Sequence, residues 1–199
     1  MPEVQSASHS AVLSAPMGTA GRVIEGHVRV AEAGAQGMVS VKTDLALPAL
    51  DAVLREICGV GVPMRLTVWS NGDRAVVWMA PDELLVLVPA AEAGAVAGRI
   101  EAALGETHAL VADMSSARTL FRLEGARAGE VLAKGAPLDF RDAGFAVGTA
   151  RRTHLGPVAV GIWREAAELW SLVCFRSYAP YTADWLAAAV AEGSEVGHF

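Results

Sequence analysis

Ser115 and Ser116 follow Asp113 closely, so a hydroxyl stands two residues from a carboxylate. A nucleophilic serine needs a base beside it and an acid to orient that base. No Gly-x-Ser-x-Gly turn occurs. Asp113 with Ser115 instead fits a turn in which short polar side chains bond backbone amides. Asp82-Glu83, after Pro81, is an adjacent carboxylate pair. Such pairs can share a proton or hold a cation. Adjacent residues in extended chain point apart, so the reading is a solvated turn, with Glu83 able to open the strand that follows. His9, His27, His108, His154 and His198 never fall three to five residues from another His or Cys, so no ligand pair can be drawn. The 20 glycines are scattered, and Gly59-Val60-Gly61 follows a helix rather than a strand, the wrong place for a phosphate loop. No catalytic, cofactor-binding or metal-binding residue is assigned.

Arginine is the more informative residue type. Arg118 and Arg122 share a strand face, Arg151 and Arg152 lie inside a strand, and Arg176 ends an otherwise apolar one. A guanidinium among apolar neighbours needs a carboxylate or carbonyl partner. Three readings stand: an internal pair such as Arg118 with Asp113, a pair across a subunit interface, or an anion site. Trp69 sits on the more polar face of its strand with Arg65 and Thr67, which suits an interface anchor. Trp69, Asp113, Arg118, Arg151 and Arg176 are therefore the candidate interface or structural residues.

The elements that would carry them follow from periodicity. Leu50, Val53, Leu54 and Ile57 mark one face of a helix that Pro48 opens and Gly59 closes. Met64, Leu66 and Val68 alternate with polar residues up to Asn71-Gly72, which predicts a hairpin returning over Arg74 to Met79. Leu84 to Val88 reads as a strand buried on both faces, and a helix over Ala91 to Leu104 follows. The second half repeats this order. A strand near Arg118 to Leu123 precedes a helix over Ala126 to Lys134. Strands come next near Phe145 to Leu155, Val158 to Arg164 and Glu168 to Arg176, then a helix over Pro180 to Glu192. Two weak strands, Arg22 to Val30 and Met38 to Leu45, lead the chain. Short turns make the strand pairs antiparallel. The expected class is α+β, with two similar lobes at 21–110 and 111–199 packed as one unit, behind a flexible arm at 1–20.

Bulk composition narrows the function. Of 199 residues 53% are hydrophobic and 19% charged, enough apolar surface for a full core; the core alone is the favoured destination of the surplus, and partner surfaces are the alternative. A net charge of −6 without any basic run argues against nucleic acid. No apolar run nears the roughly 20 residues of a membrane helix. The first twenty residues lack a basic n-region, and Cys58 and Cys174 sit in apolar contexts, so a reducing, cytoplasmic setting is expected.

Four segments resemble a known family. Trp78-Met79-Ala80-Pro81-Asp82-Glu83, Asp113-Met114-Ser115-Ser116-Ala117-Arg118-Thr119, Leu132-Ala133-Lys134-Gly135 with Asp139, and Arg176-Ser177-Tyr178-Ala179 with Trp185-Leu186 are similar, in order, to motifs of the gamma subunits of heterotetrameric sarcosine oxidases. That resemblance implies the folate-binding-domain fold of aminomethyltransferases. It implies alpha, beta and delta partner subunits, with FAD, FMN, NAD and tetrahydrofolate held by the larger partner chains. It further implies a complex that demethylates sarcosine oxidatively to glycine, in which this chain is a non-catalytic structural and assembly subunit. The competing expectation is a stand-alone folate-dependent one-carbon transferase or folate-binding regulator. Folate-binding relatives carry a Lys-Gly-Cys…Gly-Gln-Glu signature, and Gly144 to Arg151 lacks its Cys, Gln and Glu. An isolated chain is expected to self-associate through whatever surface the partners cover.

Overall fold

A computed structural model describes residues 21–197; the arm expected at 1–20 lies outside them. Eleven strands and four α-helices occur among the described residues. In chain order they are β1 (Val23–Ile24), β2 (Arg29–Glu32), β3 (Gln36–Lys42), α1 (Pro48–Cys58), β4 (Val68–Asn71), β5 (Arg74–Ala80), β6 (Glu83–Pro89), α2 (Ala93–Leu104) and β7 (Leu110–Asp113). Then come β8 (Arg118–Glu124), α3 (Ala128–Ala133), β9 (Ala150–Leu155), β10 (Val158–Ala166), β11 (Leu169–Phe175) and α4 (Ala179–Val190).

The strands form two sheets, ordered β1-β2-β8-β11-β10-β9 and β4-β5-β6-β3-β7. All neighbours are antiparallel. The class is the expected α+β. The sheets face each other across Met38, Val77, Met79, Leu85, Leu120, Trp163 and Val173. Helices α1 and α2 cover the outer face of one sheet, against Val39, Val76, Leu84 and Val86. Helices α3 and α4 cover the other, against Phe121, Ile162, Trp170 and Leu172. Four layers thus enclose three apolar seams. The central strands β6 and β11 are buried on both faces, which is why they read as continuous apolar runs.

The two sheets divide the chain differently from the 110/111 boundary. β3-α1-β4-β5-β6-α2 and β8-α3-β9-β10-β11-α4 are the same unit twice, with sheet orders β4-β5-β6-β3 and β9-β10-β11-β8. The strand that precedes each unit crosses to the other one's sheet. β2 pairs β8 (Val30↔Leu123), and β7 pairs β3 (Val41↔Val111).

Local differences from the sequence expectation have physical causes. The β4–β5 turn is Gly72-Asp73, since Asn71 pairs Arg74; Gly72 takes the left-handed φ of 61°. Asn71 Nδ2 is engaged instead with the Cys58 carbonyl at the end of α1. Met64 to Leu66 is not strand: Thr67 N and Oγ1 both donate to the Met64 carbonyl and close a turn. Phe145 also lies outside β9, its ring stacked on Phe140 (5.5 Å) and tilted on Trp170 (4.9 Å). Helix α1 follows the periodic pattern, with Leu50, Val53, Leu54 and Ile57 buried and Gly59 capping it at φ 72°.

Candidate functional site

Glu83 is the first residue of β6 and the charged end of a strand otherwise buried. The expected solvated turn is therefore corrected for Glu83, whose side chain is only 10% exposed. It lies between the sheets, where burying a carboxylate demands donors. Three arrive. Arg118 Nη2 (3.4 Å) and Ser40 Oγ (3.4 Å) donate to Oε1, and Arg152 Nη1 (3.1 Å) donates to Oε2. Arg118 comes from β8 and Arg152 from β9, so this one carboxylate ties the two sheets together. Asp82, its neighbour, stays exposed opposite Lys42.

The Arg118–Asp113 pair anticipated from sequence is not formed. Asp113 Oδ1 already accepts from Ser115 N (2.9 Å) and Ser115 Oγ (2.5 Å), the turn geometry expected of it. Arg118 instead turns between the sheets, with its guanidinium carbon 5.6 Å from the centre of the Phe175 ring. Ser115 Oγ also accepts from Met38 N, so this hydroxyl is spent on joining β3 to the turn rather than on chemistry. Arg176 closes the same turn from outside, donating to the carbonyls of Ser116 (2.7 Å), Ser115 (3.0 Å) and Arg118 (2.8 Å).

Asp113, Arg118 and Arg176 thus gather at one end of the sandwich. Trp69 and Arg151 do not join them; they flank the place where the chain leading into β4 meets the chain leading into β9. There Thr67 bridges Thr149, and Val68 N donates to the Gly148 carbonyl. Arg151 Nη1 donates to the carbonyls of Leu66 (3.0 Å) and Ala150 (2.9 Å), above the Phe145 ring. Burial lowers the guanidinium pKa of Arg151. Trp69 is half-buried on the edge strand β4.

Glu83 and Arg152 complete the cluster that sequence reasoning did not assemble. The available signal was an acid opening a strand with no solvent face, which must find cations across the fold. Outside the cluster, Arg164 bonds Asp142, the Phe145 carbonyl and the Ala167 carbonyl, and packs 5.0 Å from the Trp170 ring. Among the described residues, no group of three or more His, Cys, Asp or Glu could hold a metal ion. Burial pushes the thiols of Cys58 and Cys174 up to about 11, so neither is a ready nucleophile at neutral pH. No helix among the described residues is long and apolar enough to cross a membrane.

The groove over this cluster opens between the sheets and is walled by Met79, Arg118, Arg152, His154, Gly161 and Phe175. Gly161 lets Met79 and Val173 pack close against the strand: a Cβ on it would stand 2.9 Å from Met79 Cε and 3.0 Å from Val173 Cγ1. Such an arrangement can receive an anion or an acidic side chain, and it brings no base to a nucleophile.

Known proteins share both the sequence and this architecture. Residues 42–192 match the family model described as "Sarcosine oxidase, gamma subunit family". A sarcosine oxidase subunit gamma from Corynebacterium sp. (strain P-1) is 34% identical over 143 residues, covering 71% of this chain and 70% of the relative. One from Arthrobacter sp. is 32% identical over 188 residues, covering 94% and 89%. In the structure of heterotetrameric sarcosine oxidase from Corynebacterium sp. U-96 in complex with pyrrole 2-carboxylate, one chain superposes with a TM-score of 0.76 at 29% identity. The match covers 86% of this chain and 89% of that one. Glycine cleavage system aminomethyltransferase T from Bartonella henselae shares the fold alone, with a TM-score of 0.60 at 14% identity over 81% of this chain and 46% of that one. The family model spans most of the chain and takes in Glu83, Arg118, Arg152 and Arg176, so the chain belongs to the sarcosine oxidase gamma subunit family.

Proposed function

We propose that the chain is a non-catalytic assembly subunit of a heterotetrameric enzyme that demethylates sarcosine oxidatively to glycine. Its partners are the alpha, beta and delta chains, and FAD, FMN, NAD and tetrahydrofolate are held by the larger of these partners, in the cytoplasm. The carrying observation is the match over most of both chains to a subunit of the solved heterotetramer. The site chemistry supports the same reading. Its arginines and carboxylates are bonded to each other and to backbone carbonyls, and Ser115 is locked between Asp113 and Met38. Asp113, Arg118 and Arg176 brace one turn of the sandwich, and Arg151 ties β9 to the Leu66 turn, which leaves a rigid body for partner chains to hold.

Co-expression with the other three chains tests this. The expected result is a four-chain complex that oxidises sarcosine, and a chain set lacking this one that assembles poorly. Recovery of a fully active three-chain enzyme, together with a monodisperse lone chain, would refute the reading.

A further inference from the structure

The groove at the Glu83 end carries more positive charge than the chain itself uses. Its lining includes Arg118, Arg152 and His154 but no carboxylate. Glu83 lies behind it with both oxygens bonded, one anion shared by two guanidiniums. Arg118 Nη1 has no acceptor among the described residues, and the Arg152 side chain is 53% exposed. His154 and Arg152, two apart on edge strand β9, share the face that looks into the groove. This cationic patch stands on a chain of net charge −6.

Aromatic surface continues from it. Phe175, under Arg118, is 46% exposed, and Tyr178 and Tyr181 are 49% and 45% exposed. The Tyr181 hydroxyl lies over the Gly156 turn that joins β9 to β10. Arginine beside exposed tyrosine and phenylalanine is the composition of interface anchors, and large aromatics left in water favour being covered.

We propose that this groove is a docking surface for an acidic segment of a partner subunit. Carboxylates of that segment are received by Arg152 and Arg118, with His154 donating a further hydrogen bond, while its apolar side chains cover Phe175, Tyr178 and Tyr181. The proposal rests on the assembly-subunit reading above. A polypeptide fits better than a free small anion because Phe175 in the groove wall is itself exposed, and Tyr178 and Tyr181 nearby in sequence are exposed as well. A small carboxylate would leave those rings in water.

The test measures the dissociation constant of the full chain for the purified complex of the other three chains. Arg152→Glu and His154→Glu are each expected to weaken binding by on the order of tenfold or more. The gap should narrow as salt is raised from about 0.05 to about 0.5 M. Arg122→Glu, at the opposite opening between the sheets, serves as the control and should bind like the parent chain. If Arg152→Glu loosens the fold through Glu83, seen as a lowered melting temperature, His154→Glu carries the test, since His154 has no side-chain hydrogen bond among the described residues.

Unchanged affinity in both groove variants, or equal weakening by Arg122→Glu, overturns the docking surface while the subunit reading stands. Failure of the parent chain to bind the other three chains overturns both. Succinate is titrated into the lone chain as the small-anion arm. Micromolar binding that shifts the groove's NMR resonances would assign the groove to a free carboxylate and overturn the proposal.

Discussion

Glu83 accepts from Arg118, Ser40 and Arg152, and with its side chain only 10% exposed little water can replace them. Breaking such a pair from one side leaves a buried charge without compensation, whereas replacing both members with apolar groups is often neutral. Glu83→Gln is therefore expected to cost about 3 kcal/mol in urea unfolding. The double variant Glu83→Leu, Arg118→Leu should recover most of that loss. A single variant as stable as the parent would mean that the ion cluster contributes nothing to the fold. The cysteines give a pH dependence. Burial raises the thiols of Cys58 and Cys174 from 9.0 to about 11. Below pH 9 folded and unfolded chains both keep these protons, and the contribution is fully present. Between pH 9 and 11 the unfolded chain sheds protons that the folded chain retains, so stability falls with rising pH. The melting temperature of Cys58→Ala, Cys174→Ala should decline less steeply across that window than the parent's. The parent thiols should also resist alkylation until the chain unfolds.

At the scale of elements, the legible parts are those set by local pattern. The i, i+3, i+4, i+7 series from Leu50 to Ile57 determined α1 because one face of one helix suffices to bury it. The run Leu84 to Val88 announced a doubly buried strand in the same way. What remained hidden depends on partners distant in sequence. The alternation over Met64 to Val68 looks like strand, yet Leu66 adopts a φ of 64°. Its carbonyl is drawn to Ala150 N and Arg151 Nη1, far along the chain. β7 has four residues and no buried one, so periodicity cannot reveal it; only pairing with β3 makes it a strand. The site followed the same division. Asp113 with Ser115 was readable because its hydrogen bonds span two residues. Glu83 with Arg118 and Arg152 was not, because it joins residues 35 and 69 positions apart.

For the whole molecule, the repeated order of elements was visible in the sequence, but the exchange of leading strands was not. β2 covers the β8 edge with Arg29, Val30, Ala31 and Glu32 opposite Glu124, Leu123, Arg122 and Phe121. Val30 belongs to the same apolar layer as Phe121, Leu172 and α4. β7 covers the β3 edge of the other sheet. A cut at 110/111 therefore strips each half of a strand that its sheet requires, and leaves β1 and β2 in the half that cannot use them. It also exposes both sides of the central seam around Trp163, Leu85 and Met79. Apolar surface costs roughly 25 cal/mol per Å² to expose, and a domain is stable by only about 5–15 kcal/mol, so neither half is expected to tolerate an opened seam. Fragments 21–110 and 111–199 expressed apart should give no cooperative unfolding transition. Mixed or co-expressed, they should reassemble into one species that melts as a unit. Two fragments that each unfold cooperatively alone, at the parent's midpoint, would show that the halves are independent domains and that the exchanged strands are ornamental to the fold.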